Sequence, residues 1–298
     1  MSEIGEPKIV ATGETEKEKS FVLAEIRIPE SEERFSQIIE TTCGQACLST
    51  EIGANHLFDG KKNQDNGAII NTQDGAVLIV ADGVGGHSSG EKASAMAVDI
   101  VAKEVGRDWS ASAAMQKAHT ELAVLRDSAT QHMARPRNPA STMVCAEIRG
   151  RDLEVNWAGD SIALVVRSGK IIFATVPHSW KQEFGERSNA ITSSIGGPKN
   201  RISKRTFDGL QNGDIVVLMT DGISKTFDMD TIPMKDGEVD LDALNDRDNE
   251  DFIFVIVNEE TKMETMLFDP DNQEPTLGDN HDDSTMAMLR VKFPEEDK

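Results

Sequence analysis

The chain has 298 residues, 38% hydrophobic and 28% charged, which is enough for one large globular domain with a substantial core. Its 52 acidic and 31 basic side chains give a net charge of −21, which disfavours binding to nucleic acids and anionic membranes. Three cysteines do not make a disulfide framework, and no segment reaches the ~20 apolar residues of a membrane span. Together with a polar N-terminus unlike a signal peptide, these features predict a cytoplasmic protein.

The first residues of the chain differ in composition from the rest. Residues 1 to about 20 are polar and acidic, which predicts a disordered tail. The apolar residues of 21–28 predict a strand. Ser31 is a candidate N-cap for a short helix that carries Phe35, Ile38 and Ile39. We therefore predict a partly disordered N-terminal extension over residues 1–43.

The main domain is predicted over residues 44–293. Short apolar runs joined by turn residues predict antiparallel strands. Two amphipathic helices follow the first hairpin, one capped by Ser88 or Ser89 and one around residues 115–125. Helices that follow a hairpin as a pair indicate an α+β fold rather than a βαβ repeat. The predicted strands cover residues 68–70, 77–81, 143–148, 153–157, 162–166, 171–174, 202–207, 215–219 and 284–291.

Two later segments do not fit this pattern of short apolar strands joined by turns. The segment near 228–251 is rich in acidic residues and poor in apolar ones, which predicts an excursion at the surface. Residues 252–257 form an apolar run that fits either a strand or a buried helix.

Several aspartates lie at the ends of predicted strands, next to glycine. One such Asp-Gly pair is usually a turn, because both residues suit turn geometry. A repeated pattern differs, since strand ends from two packed sheets can meet at one edge, where carboxylates repel one another unless a cation lies among them. All-oxygen ligands indicate Mg²⁺ or Mn²⁺. The aspartates in question are Asp65, Asp82, Asp160, Asp221, Asp282 and Asp283.

The order of these motifs resembles that of the metal-dependent serine/threonine protein phosphatases of the type 2C family, in particular its bacterial members. The resemblance extends from about residue 50 to about residue 292 and is somewhat divergent. The matching motifs are Asn63-Gln64-Asp65, Asp82-Gly83-Val84-Gly85-Gly86-His87, Ser141-Thr142, Trp157-Ala158-Gly159-Asp160-Ser161, Thr220-Asp221-Gly222 and Asp282-Asp283-Ser284-Thr285.

The resemblance implies a four-layer α-β-β-α sandwich, in which two mostly antiparallel sheets are flanked by helices. It implies a flap that contacts substrate, which is short here and lies near residues 178–190. It also implies two Mn²⁺ or Mg²⁺ ions, with a third, weaker ion held by Asp160 together with Asp221. The implied metal-binding residues are Asp65, Asp82, Gly83, Asp221, Asp282 and Asp160, and the implied catalytic residues are Asp82, Asp221 and Asp282.

The expected activity is hydrolysis of phosphoserine or phosphothreonine on proteins by a water that the two metal ions activate. Signalling is the expected setting. The expected partners are a phosphorylated protein and a serine/threonine kinase or its targets, with no nucleic acid and no membrane.

The chain departs from the family at the substrate phosphate. Gly60 lies where the family usually has an arginine, which leaves Lys61 or Lys62, and the nearby His56, as candidates to bind phosphate. A lysine gives a point charge instead of a bidentate fork. The departure raises a second hypothesis, a catalytically weak or inactive module of the same fold that binds a phosphoprotein or a regulator. A third hypothesis, an unrelated acidic cation-binding protein, requires the motif order to be accidental.

Overall fold

Two antiparallel sheets form the centre of the protein in the computed structural model, which describes residues 22–29, 33–84, 89–107, 110–130, 139–185, 188, 190–199, 201–247, 252–253, 256 and 282–294. The strands, in chain order, are β1 (Val22–Arg27), β2 (Arg34–Thr41), β3 (Gly44–Glu51), β4 (Asp65–Thr72), β5 (Gly75–Val84), β6 (Ala140–Ser141), β7 (Met143–Arg149), β8 (Asp152–Ala158), β9 (Ile162–Arg167), β10 (Lys170–Ala174), β11 (Ser203–Phe207), β12 (Ile215–Met219), β13 (Met234–Lys235), β14 (Glu238–Val239) and β15 (Ser284–Val291).

The described helices are few and mostly short. They are α1 (Ala54–Phe58), α2 (Gly90–Val105), α3 (Ala111–Thr130), α4 (Trp180–Phe184), α5 (Asp221–Ser224) and α6 (Leu241–Asn245). Ser89 is the N-cap residue of α2, as predicted, although its side chain makes no capping hydrogen bond.

The strands form two large sheets. The first has the order β1-β4-β5-β7-β8-β11, with β6 paired to β5. The second has the order β10-β9-β12-β15-β3-β2, and β13 and β14 form a separate two-stranded sheet. All of these pairings are antiparallel, which confirms the predicted arrangement.

The central strands of both sheets, such as β5 and β12, are buried on both faces, which explains why they are continuously apolar in sequence. In β5, Leu78 and Val80 point into the core between the sheets, and Val77 and Ile79 point toward α2 and α3. Strand β12 follows the same rule, because successive side chains of a strand alternate between its faces. The sandwich therefore has a central core and one outer core beyond each sheet.

The outer layer over the second sheet includes part of the acidic segment. Met229, Ile232 and Leu244 are buried against that sheet, together with Phe252 and Ile256. With α2 and α3 on the other side, this completes the predicted four layers. The segment near 228–251 is thus partly buried where it is described, and residues 248–251 lie outside the described residues. Phe252, Ile253 and Ile256 have helical backbone conformation.

The helix predicted after Ser31 is wrong. Residues 34–41 form strand β2, which pairs with β3 along its whole length. Phe35 and Ile39 pack on the central core and Ile38 packs on the outer core. The spacing of these three residues fits a helix face, but it also fits the two faces of a strand that is covered on both sides.

The N-terminal segment also contributes to the sheets. The strand predicted over residues 21–28 is present as β1, which pairs with β4. The predicted boundary between residues 43 and 44 therefore falls inside the β2–β3 hairpin, and residues 22–41 belong to the sandwich. The predicted disordered tail, residues 1–20, lies outside the described residues.

Two other expectations concern membranes and cysteines. Within the described ranges, no helix combines the length and the apolar character that a membrane span requires. Cys43, Cys47 and Cys145 are free thiols and all three are buried.

Truncation of a side chain between the sheets tests this core. We expect Leu78→Ala to lower the free energy of unfolding by about 2–5 kcal/mol, because Leu78 is fully buried and the change leaves a cavity. Leu23→Ala is the matched control, since Leu23 is 54% exposed, and its effect should stay within about 0.5 kcal/mol. Urea unfolding measures both values, and equal effects would contradict the assigned packing.

Candidate metal centre

The first hairpin places two aspartates directly opposite each other. Asp65 begins β4 and is the register partner of Asp82 near the end of β5. Residues opposite each other on neighbouring strands share one face of the sheet, so like charges there destabilise the pairing unless they are compensated. The hairpin alone therefore creates a local need for positive charge.

Two more aspartates reach the same edge from other strands. Asp160 follows β8 in the first sheet, and Asp221 follows β12 in the second sheet and begins α5. One carboxylate oxygen each of Asp82, Asp160 and Asp221 lie within 4.8 Å of one another. Strand ends from both sheets thus meet at one edge, as the sequence pattern predicts.

Burial and mutual repulsion raise the pKa values of these carboxyls. Burial is the largest cause and raises the pKa of both Asp65 and Asp82 well above the ordinary range, and nearby aspartates raise each further. Burial and then Asp221 raise the pKa of Asp160 to about 7. The pKa of Asp221 is also raised by burial, with Lys225 opposing the rise.

Unpartnered oxygens indicate what the cluster can hold. Asp65 is 3% exposed, and its Oδ2 accepts a hydrogen bond from the Thr220 hydroxyl at 2.6 Å. Asp65 Oδ1 and Asp160 Oδ1 are buried and find no hydrogen-bond partner among the described residues. A buried polar atom without a partner is costly unless it binds a ligand. Carboxylate oxygens of this kind fit a hard cation such as Mn²⁺ or Mg²⁺.

The end of β5, which carries Asp82, is held in place by the Ser141-Thr142 motif. The Asp82 backbone N–H donates to Thr142 Oγ1 at 3.0 Å, and its carbonyl accepts from the Thr142 N–H at 2.7 Å and from the Ser141 hydroxyl at 2.9 Å. Gly83 lies so close to α2 that a Cβ at this position would be 2.2 Å from the Gly90 carbonyl oxygen. Only glycine fits there, and the role predicted for the Gly83 carbonyl stays a prediction.

Asp282 lies beside this cluster, where it shares a lysine with Asp221. Lys225 Nζ is 2.5 Å from Asp221 Oδ2 and 3.4 Å from Asp282 Oδ2. Burial alone would lower the pKa of Lys225, but Asp221 and Asp282 raise it above its ordinary value. The sequence prediction missed this lysine. Its only signal was the spacing of four residues from Asp221, which places both on one side of a helical turn.

Asp283, which was noted in the sequence without a role, ties the segment before β4 to the start of β15. Its carboxylate accepts from the backbone N–H groups of Gly53 and Gln64 at 2.8 and 2.6 Å, and it pairs with His56 Nδ1 at 2.8 Å. Burial raises the pKa of Asp283, although these hydrogen bonds act in the opposite direction and lower it. This pairing holds His56, a predicted phosphate-binding residue, beside Asp283, the residue that follows Asp282 in the chain.

The other two predicted phosphate-binding residues lie at the surface. Lys61 Nζ is 2.8 Å from Asp59 Oδ2, and both side chains are about half exposed. Lys62 is exposed as well. Gly60 has a φ of +64°, a backbone conformation that favours glycine, and a Cβ at this position would meet open space.

The predicted flap contains α4 and is anchored by a buried histidine. Ser179 caps α4 by accepting from the Gln182 N–H at 3.1 Å. His178 Nε2 lies 2.8 Å from Ser203 Oγ, and its ring stacks on Trp157. Burial lowers the pKa of His178 to about 4, so the ring is neutral at pH 7. His178 supports the flap and lies outside the cluster.

The raised pKa of Asp160 predicts how stability depends on pH. The folded protein holds the Asp160 proton more tightly than the unfolded chain, in which the carboxyl has its ordinary pKa of 3.8. The stability that this difference contributes is therefore lost as the pH rises toward about 7. In EDTA, the stability of the wild type relative to Asp160→Asn should therefore fall between about pH 4 and pH 7. Urea unfolding at a series of pH values measures the difference. A flat or rising difference would contradict the assignment.

The fold occurs in known phosphatases. A family model described as protein phosphatase 2C matches residues 52–256. The serine/threonine phosphatase of S. agalactiae is 21% identical, with a TM-score of 0.56, over 87% of this chain and 100% of that one. The catalytic domain of the serine/threonine protein phosphatase PstP, in complex with two manganese ions, is 16% identical, with a TM-score of 0.56. The match covers 90% of this chain and 99% of that one.

A third solved structure, RsbX in complex with magnesium, is 15% identical with a TM-score of 0.52 over 87% of this chain and 100% of that one. A comparison with curated protein sequences gives no match. At these identities the solved structures show a shared fold, which agrees with the four-layer sandwich. The family model covers more than half of the chain and includes Asp65, Asp82, Asp160 and Asp221. The chain therefore belongs to the protein phosphatase 2C family, as a divergent member.

Proposed function

We propose that this protein is a metal-dependent phosphatase that removes phosphate from phosphoserine or phosphothreonine on proteins in a signalling pathway. The observation that carries the proposal is the cluster of Asp82, Asp160 and Asp221, in which one carboxylate oxygen of each residue lies within 4.8 Å of the others. Asp160 also has a buried oxygen without a hydrogen-bond partner among the described residues. Membership of the family supports a phosphatase. Its partners would be a phosphorylated protein and the kinase that modifies it.

We infer that the site takes two Mn²⁺ or Mg²⁺ ions, as PstP takes manganese and RsbX takes magnesium. The ions would make a water molecule a better nucleophile near neutral pH and offset the charge on the phosphate oxygens. Asp82 would bind both ions, with the carbonyl oxygen of Gly83 as a further ligand, and Asp65 would serve one of the two ions. Asp221 and Asp282 would hold the other.

The remaining roles are supported by the positions of the residues. Asp160, with Asp221, would hold a third and weaker ion, which fits its unpartnered Oδ1. The Thr220 hydroxyl holds Asp65 in a fixed orientation by donating to Oδ2. Thr142 and Ser141 fix the backbone of Asp82. The protein thus supplies a rigid set of oxygens, and positioning of this kind is the main contribution to catalysis of phosphoryl transfer.

We propose that His56, Lys61 and Lys62 contact the substrate phosphate in place of the missing arginine. Asp283 holds His56 and the backbone of Gln64 in place. Lys61 and Lys62 lie between these two anchored residues, shortly before Asp65. A module that binds without turnover is not favoured, because the family model that matches this chain and the similar solved structures are those of phosphatases.

The first test is phosphate release from a phosphothreonine peptide. We expect release with Mn²⁺, none with EDTA, and a loss of about 100-fold or more in Asp221→Asn, which keeps the shape of the side chain but removes its charge. Asp99→Asn is the matched control, because Asp99 is 66% exposed on α2 and pairs with Arg27. Full activity in Asp221→Asn, or metal-independent release, would refute the site.

A second test concerns the phosphate-binding residues. The double variant Lys61→Gln and Lys62→Gln should raise KM for the peptide about two- to five-fold with little change in kcat, because exposed charges contribute at most about 1 kcal/mol. Lys199→Gln serves as a surface control. Steady-state kinetics at low salt measures the effect. An unchanged KM would remove both lysines from the substrate site.

A further inference from the structure

Lys225 places a positive charge between two strand ends of the second sheet. Asp221 follows β12 and Asp282 precedes β15, and these strands are neighbours in that sheet. The Lys225 ammonium is 2.5 Å from an oxygen of Asp221 and 3.4 Å from an oxygen of Asp282. It therefore lies where a cation that binds both carboxylates would lie.

The surroundings make this contact stronger than a surface ion pair. The Lys225 side chain is 28% exposed and the Asp221 side chain is 14% exposed, so water screens the pair only in part. Two other carboxyls, those of Asp282 and Asp160, add to the negative potential at the ammonium. A cation at this position offsets repulsion that burial would otherwise enlarge.

We propose that Lys225 is a built-in competitor for metal, whose ammonium must leave Asp221 and Asp282 before a divalent cation can bind them together. The proposal rests on the proposed metal-dependent function. It concerns a residue of this chain for which the sequence comparison with the family implied no role.

Competition follows from the geometry and from elementary electrostatics. A metal ion would need the same carboxylate oxygens at about 2.0–2.6 Å, and two cations at such short range repel each other strongly. Lys225 is the C-cap residue of α5, and its four-carbon side chain can turn away from the site without any change in the backbone. Metal loading would thus be an exchange of one cation for another, which weakens the observed affinity and raises the metal concentration that the site requires.

Direct measurement of Mn²⁺ binding tests the proposal without any assay of activity. Isothermal titration at pH 8 on chelator-treated protein would compare the wild type with Lys225→Met, Lys225→Gln and Lys225→Arg. We expect Met and Gln at position 225 to tighten the first Mn²⁺ dissociation constant at least about tenfold, which corresponds to about 1.4 kcal/mol. The arginine variant keeps the charge and should stay close to the wild type.

Lys204→Met is the matched control, because Lys204 also pairs with a carboxylate, that of Glu154 at 2.5 Å, but lies on β11 in the other sheet. It should leave Mn²⁺ affinity unchanged. Thermal unfolding adds an independent readout. In EDTA, Lys225→Met should unfold at a lower temperature than the wild type, whereas saturating Mn²⁺ should raise its Tm by more than it raises that of the wild type.

The outcomes separate the two proposals. If the wild type binds Mn²⁺, and folded Lys225→Met and Lys225→Gln bind it with equal or weaker affinity, the competition is overturned. The phosphatase proposal would then still stand. Absence of Mn²⁺ binding in every variant would overturn both. Unchanged Mn²⁺ affinity combined with weaker binding of inorganic phosphate would overturn the competition and assign Lys225 to the substrate.

Discussion

Repulsion between carboxylates that share one edge of the sandwich is the constraint around which the rest of the structure is arranged. Antiparallel pairing brings Asp65 opposite Asp82, and the packing of the second sheet adds Asp221 and its neighbours at the same edge. Burial makes this repulsion costly, because the charged forms lose solvation while they approach one another. Lys225 offsets part of this repulsion at Asp221 and Asp282, and the raised pKa values of the buried carboxyls offset more of it.

The strands hold the cluster in place because they are buried on both faces. Each carboxylate lies within two residues of a strand whose side chains pack in two cores at once, so it cannot retreat without disturbing that packing. Hydrogen bonds between the Asp82 backbone and the hydroxyls of Ser141 and Thr142, and the close contact of Gly83 with α2, add to this rigidity. The geometry of the cluster is therefore a property of the core rather than of loops.

Most strands and the convergence of the aspartates could be predicted from the sequence, because apolar runs and turn residues are local signals. The error over residues 34–41 arose because the adjacent residues Ile38 and Ile39 pack on opposite faces of a covered sheet. The roles of Lys225 and Asp283 could not be predicted, since they depend on contacts between segments far apart in the chain, such as His56 with Asp283 at a separation of 227 residues. Periodicity carries no information about such pairs.

The pairing of β3 with β15 has a consequence for synthesis on the ribosome. Thr50 and Thr285 share a hydrogen bond across 235 residues, and β15 is inserted between β12 and β3. Until β15 is translated, both of those strands present an open edge, which is a template for aggregation and a surface that chaperones recognise. The same strand delivers Asp282. A nascent chain therefore acquires its closed sheet and the last aspartate of this edge in one late step, and a truncated chain would lack both.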